Sequence, residues 1–382
     1  MPDLIVGDRG VLDRKDFPSL FKALNRAGYD IIGPTVREGA IVYDRISKVE
    51  ELPIGWTDRQ GGGKYRLERR SDEALFGYNV GPFSWKKFLF QPHERLWTAT
   101  RDGSAFKVRV EPNDGRPMAF LGMRACELAA LTIQDKVFTG GPAVDPSYEA
   151  RRTHVLRVAV QCGVAGANCF CTSMGTGPGV SGGADLVLTE LVKADSHTFL
   201  IEVRTEAGRA AVAGLAVHAG SSSVDEEAKQ VVEKTRKAVT KTMNTDKIRD
   251  LLLTNLDHPR WELVAQRCLA CTNCTMVCPT CFCSTHEEVP ILGTNAVERW
   301  RRWDSCFNLQ FSELHGQSVR KSTLSRYRQW LTHKLASWHD QFGMSGCVGC
   351  GRCITWCPVG IDLTEEVAAI RVPAAKPMES KP

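Results

Sequence analysis

Eight cysteines fall into two copies of one pattern, and thiolates in that pattern hold iron. The first copy is Cys268, Cys271, Cys274 and Cys278, followed by Pro279. The second is Cys347, Cys350, Cys353 and Cys357, followed by Pro358. Each reads C-x2-C-x2-C-x3-C-P, the spacing that wraps a cubane 4Fe–4S cluster. Three cysteines two residues apart can curl round one face of the cube, while the fourth, before proline, ligates the other cluster. The pattern predicts two crossed ligand sets. Cys268, Cys271 and Cys274 go with Cys357; Cys347, Cys350 and Cys353 go with Cys278. Proline ends the local helix and turns the chain away. Gly346, Gly349 and Gly351 are expected to let backbone amides approach the sulfurs, one of the factors that set a cluster's potential. A zinc site takes four ligands in two C-x2-C pairs, which is a different arrangement.

Seven cysteines remain of the fifteen. Cys126 and Cys162 each follow a strand-like run, and Cys169 and Cys171 lie in the loop beyond the second. Cysteines at adjacent strand ends and a nearby loop could converge on a third metal centre, a cubane before zinc. The competing reading is buried free thiols, since cysteine is among the most buried residue types. Cys281, Cys283 and Cys306 could be thiols beside a cluster, an interface site or plain packing.

The elements that must position these residues change character along the chain. Through residue 222 it reads as a mixed, strand-rich α/β domain. Strand-like runs cover Ala40–Ile46, Leu96–Arg101, Phe106–Glu111, His154–Val160 and Phe199–Arg204. Turn signals such as Asn113-Asp114-Gly115 punctuate them. Helices are predicted over Phe17–Ala27 and Glu127–Val137. Residues 223–267 read as a helical connector opened by a capping box at Ser223-Val-Asp-Glu226. Residues 268–371 read as an α-helical two-cluster ferredoxin domain, because Cys278 and Cys347 stand far apart and a helical insertion must separate them. Glu298–Leu314 and Ser325–Phe342 are its candidate helices. The last residues, 372–382, are expected to fray. The fold class is α+β.

Composition narrows the function. With 382 residues, 43% hydrophobic and 24% charged, the chain can build two or three domains with a sizeable core. The start at Met1-Pro2-Asp3 lacks a signal-peptide pattern, and no apolar run approaches the roughly 20 residues of a membrane span. A cytoplasmic protein without a membrane anchor is expected, and its cysteines are expected to be metal ligands rather than disulfides. A net charge of +5 is far from that of a nucleic-acid binder. The run Arg299-Trp300-Arg301-Arg302-Trp303 is expected to pack within the domain. The basic residues Arg301, Arg302, Arg320, Lys321, Arg326 and Arg328 are expected to form a solvated helix face or a docking face for an acidic partner. The glycine-rich Gly175–Gly183 follows a cysteine loop rather than a strand, so it reads as a turned loop near a metal centre and not as a phosphate cradle. No nucleophile motif or H-E-x-x-H pair occurs. No catalytic residue is assigned.

Several stretches together resemble one family. They are Leu75-Phe-Gly-Tyr78, Ser84-Trp-Lys-Lys-Phe88, Arg124-Ala-Cys-Glu-Leu-Ala-Ala130, Cys169–Pro178, Ser325-Arg-Tyr-Arg-Gln-Trp330, His333-Lys-Leu335 and Gly346–Gly360. The chain resembles the β subunit of cytoplasmic nickel–iron hydrogenases of the sulfhydrogenase type, and the related A subunit of anaerobic sulfite reductase. The resemblance implies an electron-transfer subunit in a heteromeric complex. A flavin-containing NAD(P)H diaphorase subunit would exchange electrons with it. The hydrogenase small and large subunits would lie at the other end; a sirohaem would replace them in the reductase. Two 4Fe–4S clusters are implied, and a third at Cys126, Cys162, Cys169 and Cys171 stays open. A rival of another class is an autonomous iron–sulfur enzyme whose catalytic metal sits at those four cysteines.

Overall fold

The computed structural model describes residues 4–112 and 115–373. The turn signal at Asn113 and Asp114 and the tail from 374 onward lie outside the described residues. The expected α+β class holds. An eight-stranded mixed sheet runs in the order His218–Ala219, Arg9–Asp13, His197–Val203, Leu186–Val192, Val155–Val160, Met118–Met123, Asp30–Arg37, Ala40–Arg45. From Leu186–Val192 to Asp30–Arg37 the four middle strands are parallel. The pairs outside them are antiparallel.

The parallel strands are apolar because both faces are covered. Met118–Met123 is buried at every position, and Val155–Val160 at all but Arg157. Arg157 is held by the Asp185 carboxylate through two bonds of 2.9 Å. Side chains alternate between two cores. Ala119 and Leu121 join the one around Phe17, Phe76 and Phe199; Met118 and Phe120 join the one around Trp85 and Tyr148.

The helix predicted over Glu298–Leu314 is not formed. Ala296–Trp303 is a strand between Ser284–Pro290 and His93–Asp102, in a four-stranded antiparallel sheet completed by Ala105–Val110. Its charged residues, which look like a helix face in sequence, are ion-paired strand residues. Arg301 is buried against Glu94 at 2.6 Å and also bonds Asp145. Trp300 stacks on His93 at 4.4 Å, and Trp303 on Phe90 at 6.0 Å. The insertion between the two motifs therefore contains a hairpin that completes a sheet begun far earlier in the chain.

Elsewhere the C-terminal part is largely helical as expected, apart from a short hairpin pairing Glu313–Leu314 with Gln317–Ser318. The capping box is displaced: the helix is Ser222–Ala238, and the Ser221 hydroxyl accepts from the Val224 amide at 3.4 Å. Ile248–Thr254, Arg260–Arg267, Thr323–Thr332, Trp338–Phe342 and Leu363–Arg371 follow. Trp261, Phe307, Tyr327, Trp330, Leu331 and Leu335 form their core, and five motif cysteines pack on its edge. A smaller core joins the halves by placing Cys126 and Cys171 with Val348, Cys350 and Trp338. No helix among the described residues is long and apolar enough to cross a membrane.

Candidate metal centres

The two cysteine motifs adopt one backbone path. Left-handed residues occupy matching positions: Ala270 (φ 50°) and Thr272 (φ 69°) in the first, Gly349 (φ 65°) and Gly351 (φ 75°) in the second. Each path then enters a one-turn helix, Asn273–Met276 or Arg352–Thr355. The left-handed turn aims an amide back at a sulfur. Ala270 N donates to Cys268 Sγ at 3.4 Å, and Gly349 N to Cys347 Sγ at 3.4 Å. Ile361 N donates to Cys357 Sγ at 3.3 Å. The other two expected glycines serve packing instead. A Cβ at Gly346 would lie 2.4 Å from the Trp338 ring, and one at Gly351 2.4 Å from the Asn168 carbonyl oxygen.

Cys268, Cys271, Cys274 and Cys357 ring one cavity, roofed by Phe307, Tyr327 and Trp330. Cys353 also reaches its wall. Cys278 lies instead with the second set, close enough for its charge to raise the thiols of Cys347, Cys350 and Cys353; burial is the larger cause at all three, taking Cys347 up to about 12. Cys357 therefore lines the first motif's cavity, while Cys278 lies near all three leading cysteines of the second motif and near Cys274 of its own. Among the described residues no three Cys, His, Asp or Glu side chains converge tightly enough for a single metal ion. The donors fit a larger group: four sulfurs about an apolar cavity, with amides pointed at them.

Cys278 is set apart from the other ligand candidates. A hydrogen bond from Cys281 holds its thiol well below the usual range, aided by the Lys334 ammonium. Lys334 Nζ donates to Cys278 Sγ at 3.3 Å, to Thr280 Oγ1 at 3.1 Å and to the Gly346 carbonyl at 3.1 Å.

The N-terminal quartet also converges. Met118–Met123 and Val155–Val160 are parallel neighbours, so their carboxyl ends share one sheet edge. Cys126 opens the helix after the first and Cys162 follows the second. The loop bearing Cys169 and Cys171 is tightly turned and reaches the start of the Cys126 helix, where a Cβ at Gly177 would come within 3.5 Å of Ala125 Cβ. A Cβ at Gly166 would come within 2.9 Å of Cys169 Sγ, and one at Gly177 within 3.2 Å of Cys171 Sγ. Burial raises all four thiols, Cys171 to about 12. The charge of Cys162 adds to the rise at Cys126, Cys169 and Cys171, as does that of Cys350 from the second motif set.

Two guanidiniums flank this quartet, with one carboxylate between them. Glu127 accepts from Arg352 Nη2 at 2.5 Å, Tyr43 OH at 2.7 Å, Trp85 Nε1 at 3.0 Å and Arg124 N at 3.0 Å. Arg124 donates to the carbonyls of Phe76 and Tyr78 at 2.8 and 3.1 Å. Arg352 Nη1 is buried with no partner. A cationic excess and an orphaned donor beside four sulfurs suit an anionic thiolate-bound group. The surrounding charges, Lys86, Arg124, Glu127, Lys334 and Arg352, escaped sequence reasoning. Lys334 carried a signal: it shares i, i+4 spacing with Trp330 and Trp338 on an apolar stripe.

Cys281 lies against Cys278, whereas Cys283 and Cys306 lie against each other and Cys306 is close enough to Cys274 of the first motif to feel its charge. The Cys281 carbonyl accepts from Lys86 Nζ at 3.0 Å, and Lys86 covers the Trp303 ring at 3.8 Å. Cys283 and Cys306 share a surface cavity.

Residues 267–361 match the 4Fe-4S dicluster domain family. Over 358 residues the chain is 27% identical to sulfhydrogenase 2 subunit beta of Pyrococcus furiosus, covering 93% of this chain and 96% of that one. No solved structure matches. The similarity to that hydrogenase subunit therefore extends along nearly the whole chain and, with the dicluster match, supports an iron–sulfur electron-transfer subunit.

Proposed function

We propose that this chain relays electrons between a flavin-containing NAD(P)H diaphorase subunit and the small and large subunits of a nickel–iron hydrogenase. It has no substrate chemistry of its own. Cys268, Cys271, Cys274 and Cys357 hold one 4Fe–4S cluster, and Cys278, Cys347, Cys350 and Cys353 hold a second. Cys126, Cys162, Cys169 and Cys171 hold a third. Bound cubanes supply one-electron redox chemistry. The domains divide the work: 1–222 carries the quartet, 223–267 connects, and 268–371 carries the two motifs.

The observation that carries this reading is the contiguity of the three cysteine groups. Cys169 Sγ lies 3.9 Å from the Cys350 carbonyl of the second set, and Cys126 and Cys171 share a core with Cys350. Cys353 of the second set reaches the wall of the first cavity. The first cavity in turn approaches the surface, where Cys271 is exposed and Leu269 is 63% exposed. The residues between the groups are backbone amides, glycines and aromatic rings.

Iron counting on anaerobically prepared protein tests the reading. About twelve irons per chain are expected for three cubanes, falling to about eight in Cys126→Ser/Cys171→Ser. Eight irons in both proteins would remove the third centre; colourless protein would remove the relay altogether. The isolated chain is also expected not to oxidise NAD(P)H, and rapid turnover without a partner would favour an autonomous enzyme.

A further inference from the structure

Lys334 is 3% exposed, and its hydrogen bonds go to a cysteine sulfur, a hydroxyl and a carbonyl. No carboxylate pairs with it among the described residues. A second buried lysine, Lys86, has the Cys281 carbonyl and the Trp303 ring as partners. Burying an ammonium without an anion is strongly unfavourable. The anions within reach are cysteine sulfurs.

The local backbone is built to hold Lys334 there. It lies in a π-helical turn, His333–Ser337, set between the helices Thr323–Thr332 and Trp338–Phe342. Such turns insert a residue into a helix and recur at functional sites. Gly346 N donates to the Lys334 carbonyl at 2.8 Å, while Lys334 Nζ donates to the Gly346 carbonyl at 3.1 Å. This reciprocal clasp fixes the ammonium one residue from Cys347. The Trp338 ring lies 5.5 Å from Nζ.

Among the described residues the first cysteine set has no cation hydrogen-bonded to a sulfur: the Arg326 guanidinium donates to the Phe307 carbonyl and reaches Cys268 only through its charge. Its sulfurs receive the amides of Ala270 and Ile361, and its cavity is walled by Phe307, Tyr327, Trp330 and Leu363. No lysine or arginine donates to Cys268, Cys271, Cys274 or Cys357 among the described residues. Hydrogen bonds to sulfur and net local charge are two of the levers that set an iron–sulfur potential. Reduction adds one negative charge, so a fixed cation beside one centre stabilises its reduced state.

We propose that Lys334 is a positioning residue that sets potential. Its ammonium, donated to Cys278 Sγ, raises the reduction potential of the centre held by Cys278, Cys347, Cys350 and Cys353 above that of the Cys268 set. Electrons then rest on the inner centre, between the quartet and the surface-facing first set. The inference depends on the crossed ligand sets proposed above.

The test is a redox titration of the full-length holoprotein followed by electron paramagnetic resonance, with iron counted in each sample. Cys278→Ser first identifies the signal of the inner centre. If that variant leaves every signal unchanged, the ligand assignment fails, and the role of Lys334 with it. Given the assignment, Lys334→Met is expected to keep its iron and to disfavour reduction of that centre alone by roughly tenfold, about 59 mV for a one-electron couple. Lys334→Arg keeps the charge and is expected to retain the parent midpoint. A Lys334→Met protein with full iron and unmoved midpoints overturns the proposal, as does an equal shift of every centre. Should Lys334→Met lose the inner cluster, the arginine variant decides: parent iron and midpoint support the proposal, and loss there too overturns it.

Discussion

At the scale of single residues, one buried carboxylate joins the two halves of the protein. Glu127 is 2% exposed and Arg352 1%. The pair spans the helix after Cys126 and the one-turn helix holding Cys353. Arg352 also donates to the Gly81 carbonyl at 2.9 Å. Removing one partner of a buried pair leaves the other charge uncompensated, at a cost of roughly 3–5 kcal/mol. Glu127→Ala is therefore expected to lower stability by about that amount, with a lower melting temperature and less soluble holoprotein. Glu127→Gln keeps an acceptor for Tyr43 and Trp85 and should fall between that variant and the parent. A melting curve on each variant decides; an unchanged Glu127→Ala would show that Arg352 finds its anion elsewhere. The motif cysteines were legible in the sequence because their spacing is itself the chemistry. Glu127, Arg352 and Lys334 were not, because the partner that gives each its role lies far along the chain.

At the scale of elements, the two motifs share a path but meet different neighbours. Ala270 and Thr272 accept left-handed conformations, whereas Gly349 and Gly351 allow close packing as well. A Cβ at Gly349 would sit 2.7 Å from the Phe170 carbonyl and the Cys171 amide, backbone that cannot swing aside. That contact seats the quartet loop on the second motif, where Phe170 N donates to the Gly349 carbonyl at 2.8 Å. Gly349→Ala is expected to displace the loop and reduce bound iron. Gly343→Ala is the control: it shares a left-handed conformation (φ 70°) but has open space around it. It should cost only the conformational term, roughly 1–2 kcal/mol, and keep its iron. Iron content of the two variants is the measurement, and equal iron would show that the close approach is dispensable. Helices such as Pro18–Arg26 and Ala125–Phe138 were readable in the sequence, while inner strands such as Asp30–Arg37 and Leu186–Val192 were not picked out. Nor was the strand Ala296–Trp303. Its dense arginines and glutamate imitate a solvated helix, while the carboxylates that neutralise Arg301 belong to Glu94 and Asp145.

At the scale of the whole molecule, the boundary suggested by the change in texture near residue 223 is crossed repeatedly by contacts that matter. Ala296–Trp303 pairs along its length with His93–Asp102. Arg352 needs Glu127, and Thr176 Oγ1 donates to the Val348 carbonyl at 2.6 Å. Asn168 Nδ2 donates to Thr355 Oγ1 at 2.8 Å, again across the division. Sequence texture locates helices and cysteines but not such crossings, because strand pairing leaves no local mark on either partner. Residues 223–373 expressed alone would expose the edge of Ala296–Trp303, strip Arg301 and Arg352 of their carboxylates and uncover the face that seats Phe170. Exposed strand edges invite aggregation, and uncompensated buried guanidiniums oppose folding. The fragment is therefore expected to be recovered largely insoluble, or with fewer than the about eight irons of two cubanes. Co-expression with residues 1–222 is expected to restore both solubility and iron. A soluble fragment carrying eight irons without that help would show that the motifs fold as an independent unit and that the interlocking contacts serve the third centre alone.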